Sequence, residues 1–128
     1  MMSALPLVLI VDDNDRNRKL ARDVLRMAGF RTLEAATAAE GIAIASERRP
    51  DVILMDLRLP DLDGSGAARL LRADSRTARI PVVAMTALPL DARDDWFLDA
   101  GFSGCIAKPI DIDELPHQVR GFCAPGPG

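Results

Sequence analysis

The chain has little of what marks a secreted or a zinc-binding protein. Its 128 residues include two cysteines, Cys105 and Cys123, and one histidine, His117. Two cysteines are too few for a disulfide scaffold, and a lone histidine without other ligands at metal-binding spacing is weak evidence for a metal site. The apolar run at residues 4–11 is short and lacks the basic start of a signal peptide. We therefore expect a protein of the reducing cytoplasm.

Long hydrophobic segments and an excess of basic charge are also lacking. No apolar run approaches the roughly 20 residues that a membrane-spanning helix needs. The 19 acidic residues outnumber the 16 basic ones, giving a net charge of -3, whereas nucleic-acid-binding domains usually present a basic face. Neither a membrane nor a nucleic-acid partner is expected. The length suits one domain over residues 1–128, with its core at about 7–122 and a flexible tail at 123–128.

Continuous apolar runs of strand length alternate with helical segments. Runs of this kind are typical of parallel strands that are buried on both faces. The predicted strands are residues 7–11, 31–36, 51–56, 80–86 and 103–108, of which 31–36 is the weakest. The predicted helices are residues 15–28, 37–49, 65–73, 90–100 and 111–122. Gly29 and Gly101 follow two of these helices as stop signals. The alternation predicts an α/β fold, a doubly wound five-stranded parallel sheet of flavodoxin-like order 2-1-3-4-5.

Polar side chains follow four of the five predicted strands. The first strand ends in Asp12 and Asp13, the third in Asp56, the fourth in Thr86 and the fifth in Lys108. In the order 2-1-3-4-5 the first and third strands are neighbours, so their three carboxylates should converge in the crevice where ligands of such sheets bind. Close carboxylates repel unless a cation lies between them. The cluster therefore predicts a Mg²⁺ site, because Mg²⁺ prefers oxygen ligands and keeps several waters.

The remaining groups suit the binding of a phosphoryl group. Lys108 supplies a mobile positive charge that can pair with a carboxylate and with a phosphate oxygen, and the hydroxyl of Thr86 can donate a hydrogen bond. Asp56 can act as the nucleophile, since carboxylates form acyl phosphates. Plainer interpretations remain open: the aspartate pair could cap the next helix, Thr86 could serve strand packing, and Lys108 could be a surface residue.

Five motifs at characteristic spacing resemble the receiver domain of two-component response regulators, the CheY-like family. They are VDDN (11–14), LMDLRLPDLDG (54–64), PVVAMTA (81–87), the Ala100–Gly101 pair and AKPI (107–110). The resemblance covers residues 7 to about 122. The turn at residues 59–64 also has a purely structural explanation, with Pro60 and Gly64 starting a helix.

The resemblance implies a role for each site residue. It makes Asp56 the phosphoacceptor and places Mg²⁺ on Asp12, Asp13, Asp56 and the backbone carbonyl of Arg58. Thr86 becomes the switch hydroxyl and Lys108 the phosphate-binding lysine, with a cis bond to Pro109. A histidine kinase or histidine phosphotransfer protein would donate the phosphoryl group. The switched surface, for a downstream protein partner, would comprise Leu90–Ala100 and Gly104–Phe122.

One position departs from the family pattern. Family members usually carry Tyr or Phe three residues before the lysine, where this chain has Cys105, and the chain contains no tyrosine. Cys105 could follow Thr86 with a smaller movement, or the output could depend on the loop around Leu88 and Pro89.

Three other functions compete with that of a free phosphorylation switch. The chain could be a receiver cut from a hybrid histidine kinase, or a Mg²⁺-dependent phosphohydrolase of small molecules. Such hydrolases need an acid close after the nucleophile, where this chain has Leu57 and Arg58. A degenerate receiver used only for binding is disfavoured by the complete set of site residues. We therefore expect that the chain is not an enzyme and that it catalyses only its own phosphorylation and dephosphorylation.

Overall fold

The strands form one parallel sheet with the predicted order. This computed structural model describes residues 5–87 and 100–123. Its strands are β1 (Leu7–Val11), β2 (Arg31–Ala35), β3 (Val52–Asp56), β4 (Val82–Thr86) and β5 (Gly104–Ala107). They lie in the order β2-β1-β3-β4-β5. The flavodoxin-like arrangement expected from the alternation of the sequence is thereby confirmed.

Four helices cover the sheet within the described residues. They are α1 (Asp15–Met27), α2 (Ala38–Arg48), α3 (Gly64–Ala73) and α4 (Leu115–Phe122). The predicted helix at 90–100 lies outside the described residues. None of the helices within 5–87 and 100–123 has the length and apolar character to cross a membrane.

The last helix begins later than predicted. The sequence suggested a start at Asp111, but the carboxylate of Asp111 accepts hydrogen bonds from the backbone N–H groups of Asp113 and Glu114 and holds the chain in turns. The helix starts at Leu115, and Pro116 lies in its first turn, as expected for a residue without an N–H group to donate.

The two faces of the sheet carry separate hydrophobic clusters. Because side chains alternate along a strand, Leu9, Ile53 and Ala84 pack towards α2 and α3, whereas Ile10 and Leu54 pack towards α1 and α4. Strands β1, β3 and β4 are buried in all five of their residues, which explains their continuous apolar sequences. Edge strand β2 is buried only at its last residue, so its sequence signal was weak.

Candidate functional site

Three carboxylates meet at the carboxyl edge of the sheet. Neighbouring strands β1 and β3 end side by side, so oxygen atoms of Asp12, Asp13 and Asp56 lie within 4.8 Å of one another. Asp12 and Asp56 are buried and Asp13 is exposed. The cluster offers only hard oxygen ligands and one side open to water, and this set of ligands could hold a Mg²⁺ ion.

Lys108 lies between two of these carboxylates. Its Nζ donates to Asp12 Oδ2 at 3.0 Å and to Asp56 Oδ2 at 3.1 Å. Its backbone N–H donates to the carbonyl of Thr86 at 2.8 Å, which fixes the end of β5 beside the end of β4. The bond from Lys108 to Pro109 is cis, as expected. The lysine therefore brings one positive charge to the buried side of the carboxylate cluster.

Burial and pairing shift the pKa values of this group. Burial raises the pKa of Asp12, although the N–H of Asn14 and the charge of Lys108 oppose the shift. Burial alone would lower the pKa of Lys108, but its hydrogen bonds to Asp12 and Asp56 outweigh that effect and the pKa lies above its usual value. The lysine thus stays charged at neutral pH.

Helix α1 is capped by Asn14 and not by the aspartate pair. Asn14 Oδ1 accepts from the N–H of Asn17 at 3.1 Å, while the N–H of Asn14 donates to Asp12 Oδ1 at 2.9 Å. The interpretation of the pair as a simple helix cap therefore finds no support, because Asn14 does that work. Both carboxylate oxygens of Asp12 accept hydrogen bonds, one from the N–H of Asn14 and the other from Nζ of Lys108.

Asp56, at the end of the neighbouring strand β3, is held in a similar way. The backbone N–H of Arg58 donates to Asp56 Oδ1 at 3.1 Å, while Oδ2 accepts from Lys108. Helix α3 begins directly behind it at Gly64, where a Cβ atom would lie 2.8 Å from the carbonyl oxygen of Asp56. Glycine is required there because the two backbones approach closely.

The predicted site residues line one open pocket of about 370 Å³. It brings together Asp13, Asp56, Arg58, Thr86 and Lys108, with Asp12 buried beneath them. The pocket is also lined by Asn14 and Asn17, to which the sequence assigned no role. Their position in the first turn after β1 was the available signal, because that turn always flanks the crevice of such a sheet.

The loop between β3 and α3 is tied to a different helix. Asp61 accepts from the N–H groups of Ala38 and Ala39, both at 2.9 Å, at the start of α2. These two bonds lower the pKa of Asp61. Asp63 caps α3 by accepting from Gly66 at 2.7 Å. The turn predicted here exists, but the contact of Asp61 with α2 carried no sequence signal.

Cys105 occupies the sheet face that carries Thr86. It pairs in register with Ala84, two residues before Thr86, and packs against the cluster under α2 and α3. Burial raises the pKa of its thiol, which keeps the group neutral. Leu88 and Pro89, the other expected carriers of the output, lie outside the described residues.

This doubly wound parallel sheet, with an acidic cluster and a lysine at its carboxyl edge, belongs to the class of open α/β domains that bind ligands at that edge of the sheet. Residues 8–120 match the family model of the response regulator receiver domain, and the chain belongs to that family. It is 33% identical over 115 residues to the polar-differentiation response regulator DivK of Brucella anthropi, which covers 90% of this chain and 94% of that protein.

Solved structures agree with this assignment. The chemotaxis response regulator CheY4 of Vibrio cholerae has a TM-score of 0.87 and 25% identity, covering 93% of this chain and 99% of that one. The receiver domain of sensor histidine kinase PA1611 from Pseudomonas aeruginosa has a TM-score of 0.82 and 36% identity, with 93% and 98% covered. That structure has a magnesium ion coordinated in its active site cleft.

Proposed function

We propose that this receiver domain accepts a phosphoryl group on Asp56. The observation that carries the proposal is the position of Lys108, whose Nζ is within 3.1 Å of carboxylate oxygens on both Asp12 and Asp56. In this arrangement Asp13 is left on the open side of the cluster. Asp12, Asp13 and Asp56 would hold Mg²⁺ together with the backbone carbonyl of Arg58.

The chemistry is the transfer of a phosphoryl group from a phosphohistidine nitrogen to a carboxylate oxygen. An oxygen of Asp56 attacks phosphorus, the P–N bond breaks, and its electron pair returns to the imidazole of the donor. Mg²⁺, when bound, would neutralise charge on the phosphoryl oxygens. Lys108 would exchange its bond to Asp56 for one to a phosphoryl oxygen, and the hydroxyl of Thr86 would donate to another.

The signal produced by this reaction is a change of conformation. An acyl phosphate at Asp56 would favour the state in which Thr86 and Lys108 bind it, and so shift the surface formed by Gly104–Phe122 and Leu90–Ala100. That surface would engage a downstream protein. The donor would be a cytoplasmic histidine kinase or histidine phosphotransfer protein, with no nucleic acid or membrane needed for the transfer.

Two settings for the domain have support. The likeness to DivK over 94% of that protein favours a response regulator that is one receiver domain over residues 1–128. The likeness to the receiver of a sensor histidine kinase favours a place within a hybrid kinase. Both settings use the same phosphoacceptor chemistry, whereas a small-molecule phosphohydrolase is disfavoured because Leu57 and Arg58 follow the nucleophile.

Incubation with acetyl phosphate tests the proposal directly. With Mg²⁺ we expect the intact protein to gain one phosphoryl group, and with excess chelator we expect no gain. Undiminished labelling in chelator would rule out the metal role. Rapid release of inorganic phosphate at many turnovers, without a labelled protein, would indicate a phosphohydrolase.

A further inference from the structure

Arg18 joins three elements beside the carboxylate cluster without touching a carboxylate of that cluster. Its Nη1 donates to the backbone carbonyl of Asp12 at 2.8 Å, and its Nε donates to Glu34 Oε1 on β2 at 3.2 Å. Its Nη2 donates to Asp15 in the first turn of α1 at 2.5 Å. The side chain is only 14% exposed, so it is held in place and does not sample solvent freely.

The bond to the carbonyl of Asp12 matters because that carbonyl belongs to the peptide unit linking Asp12 to Asp13. The N–H of Asp12 is already fixed by the carbonyl of Ala35 at 3.0 Å, and its carboxylate by Asn14 and Lys108. The bond from Arg18 to the oxygen of the peptide that follows adds a restraint on the rotation of that peptide. Its rotation would swing exposed Asp13 relative to buried Asp12 and open the cluster.

We propose that Arg18 is a positioning residue for the metal site, which it serves by fixing the Asp12–Asp13 peptide. The proposal rests on the proposed function, since it takes Asp12 and Asp13 as the residues that hold Mg²⁺. The guanidinium suits this task because its planar fork reaches Asp12, Asp15 and Glu34 at once, which a lysine ammonium on a flexible stem does not.

Electrostatic repulsion alone predicts the opposite change in Mg²⁺ affinity. Arg18 is a cation close to a site for another cation, so the loss of its charge should strengthen Mg²⁺ binding through reduced repulsion. Positioning predicts weaker binding, because ligands that must be ordered during binding cost affinity. The sign of the change therefore separates the two roles.

The test compares Arg18→Gln and Arg18→Lys with Arg22→Gln. Arg22 is a matched control because it lies one turn further along α1 and also binds Glu34. Its Nη1 donates to Glu34 Oε2 at 3.4 Å, while its Nε donates to Asp23. The measurements are the dissociation constant of Mg²⁺ by titration calorimetry, the midpoint of urea unfolding, and the initial rate of labelling by acetyl phosphate across Mg²⁺ concentrations.

We expect both Arg18 variants to bind Mg²⁺ about tenfold more weakly, the scale typical of residues that orient metal ligands. Arg22→Gln should bind as tightly as the wild type or slightly more tightly. The Mg²⁺ concentration for half-maximal labelling should rise in both Arg18 variants, while the rate at saturating Mg²⁺ returns to the wild-type value.

Unchanged or tighter Mg²⁺ binding in Arg18→Gln would overturn the proposal, and so would a loss of stability with unchanged Mg²⁺ affinity. Should Arg18→Gln fail to fold, Arg18→Lys decides the question by the same criteria, because it keeps the charge and removes the planar fork. A wild-type protein that takes up no Mg²⁺ would instead refute the proposed function itself, so the two failures are distinguishable.

Discussion

The aspartates of the crevice and the aspartates of the loop that follows β3 differ in their hydrogen-bond partners. Asp12 and Asp56 each accept one backbone N–H at Oδ1, but their Oδ2 atoms share the ammonium of Lys108. Asp61 and Asp63, a few residues further along the chain, bind backbone N–H groups at the starts of α2 and α3. Burial raises the pKa of Asp12, whereas the N–H groups of α2 lower that of Asp61.

The same residue type, aspartate, can therefore either stabilise a loop or take part in a switch. A carboxylate satisfied by backbone N–H groups keeps its partners for as long as the helix exists, so Asp61 and Asp63 hold the loop in place. A carboxylate that shares a side-chain cation can exchange that partner for a metal ion or a phosphoryl group. The crevice aspartates are therefore the ones available for chemistry.

The largest expected effect is on phosphorylation, which should depend on an aspartate of the crevice and not on an aspartate of the loop. Asp56→Asn should abolish uptake of phosphate from acetyl phosphate, because it removes the nucleophile while keeping the size of the side chain. Asp63→Asn should be labelled like the wild type, since asparagine also caps helices. Intact mass measures both variants. Stoichiometric labelling of Asp56→Asn at another residue would refute the assignment of the phosphoacceptor.

The next largest effect is the loss of stability on removal of the shared ammonium of Lys108. Lys108→Met leaves the largely buried Asp12 and Asp56 without their positive partner, and should lower the free energy of unfolding by about 2 kcal/mol in the absence of metal. Mg²⁺ should restore much of this loss, so it should stabilise the variant more than the wild type.

Urea unfolding with and without Mg²⁺ measures this difference. Lys19→Met is the matched control, because Lys19 is the other lysine of the chain and is exposed on α1. If Mg²⁺ stabilises Lys108→Met no more than the wild type, the lysine and the metal do not compensate the same carboxylates.

The loop aspartate should give a smaller effect that depends on pH. Asp61→Asn keeps one acceptor but loses the charge and the second bond to α2, and we expect Tm to fall by about 2 to 4 °C at pH 7. The pKa of Asp61 is lowered in the folded protein, so its stabilisation is complete above the ordinary carboxylate pKa of about 4 and is lost as pH falls through the lowered value.

Urea unfolding of the wild type and Asp61→Asn over a pH series checks the sign. The difference in unfolding free energy should be constant from about pH 7 to pH 5 and should shrink below about pH 4. A difference that grows as the solution becomes more acidic would show that the charge of Asp61 does not stabilise the loop. Asp63→Asn serves again as the control.

Sequence alone predicted the crevice better than the loop for a physical reason. The carboxyl ends of parallel strands share one edge, so the strand order suffices to bring Asp12, Asp56 and Lys108 together. Contacts such as Asp61 with α2, or Arg18 with the carbonyl of Asp12, depend on the path of a loop and on side-chain direction, which follow no period. The start of α4 was also missed, because a side-chain hydrogen bond at Asp111 competes with the helix there.

The smallest expected effect is on the lifetime of the acyl phosphate. Arg58 lines the pocket beside Asp56, and its guanidinium can reach a phosphoryl oxygen or crowd the in-line path of a hydrolytic water. We expect Arg58→Ala to lose phosphate several-fold faster than the wild type, and Leu88→Ala likewise, although Leu88 lies outside the described residues. A tenfold change in rate corresponds to about 1.4 kcal/mol in the barrier, so a partial obstruction is measurable.

The alternative is that the side chain of Arg58 points into solvent and only its carbonyl serves the metal. Arg69→Ala is the matched control, because it removes an exposed arginine from α3 outside the pocket. Each protein is phosphorylated, the donor is removed, and the loss of phosphate is followed by intact mass. Equal or slower loss in both Arg58→Ala and Leu88→Ala would show that these side chains do not shield the acyl phosphate. The lifetime of the acyl phosphate would then be set by other groups of the crevice.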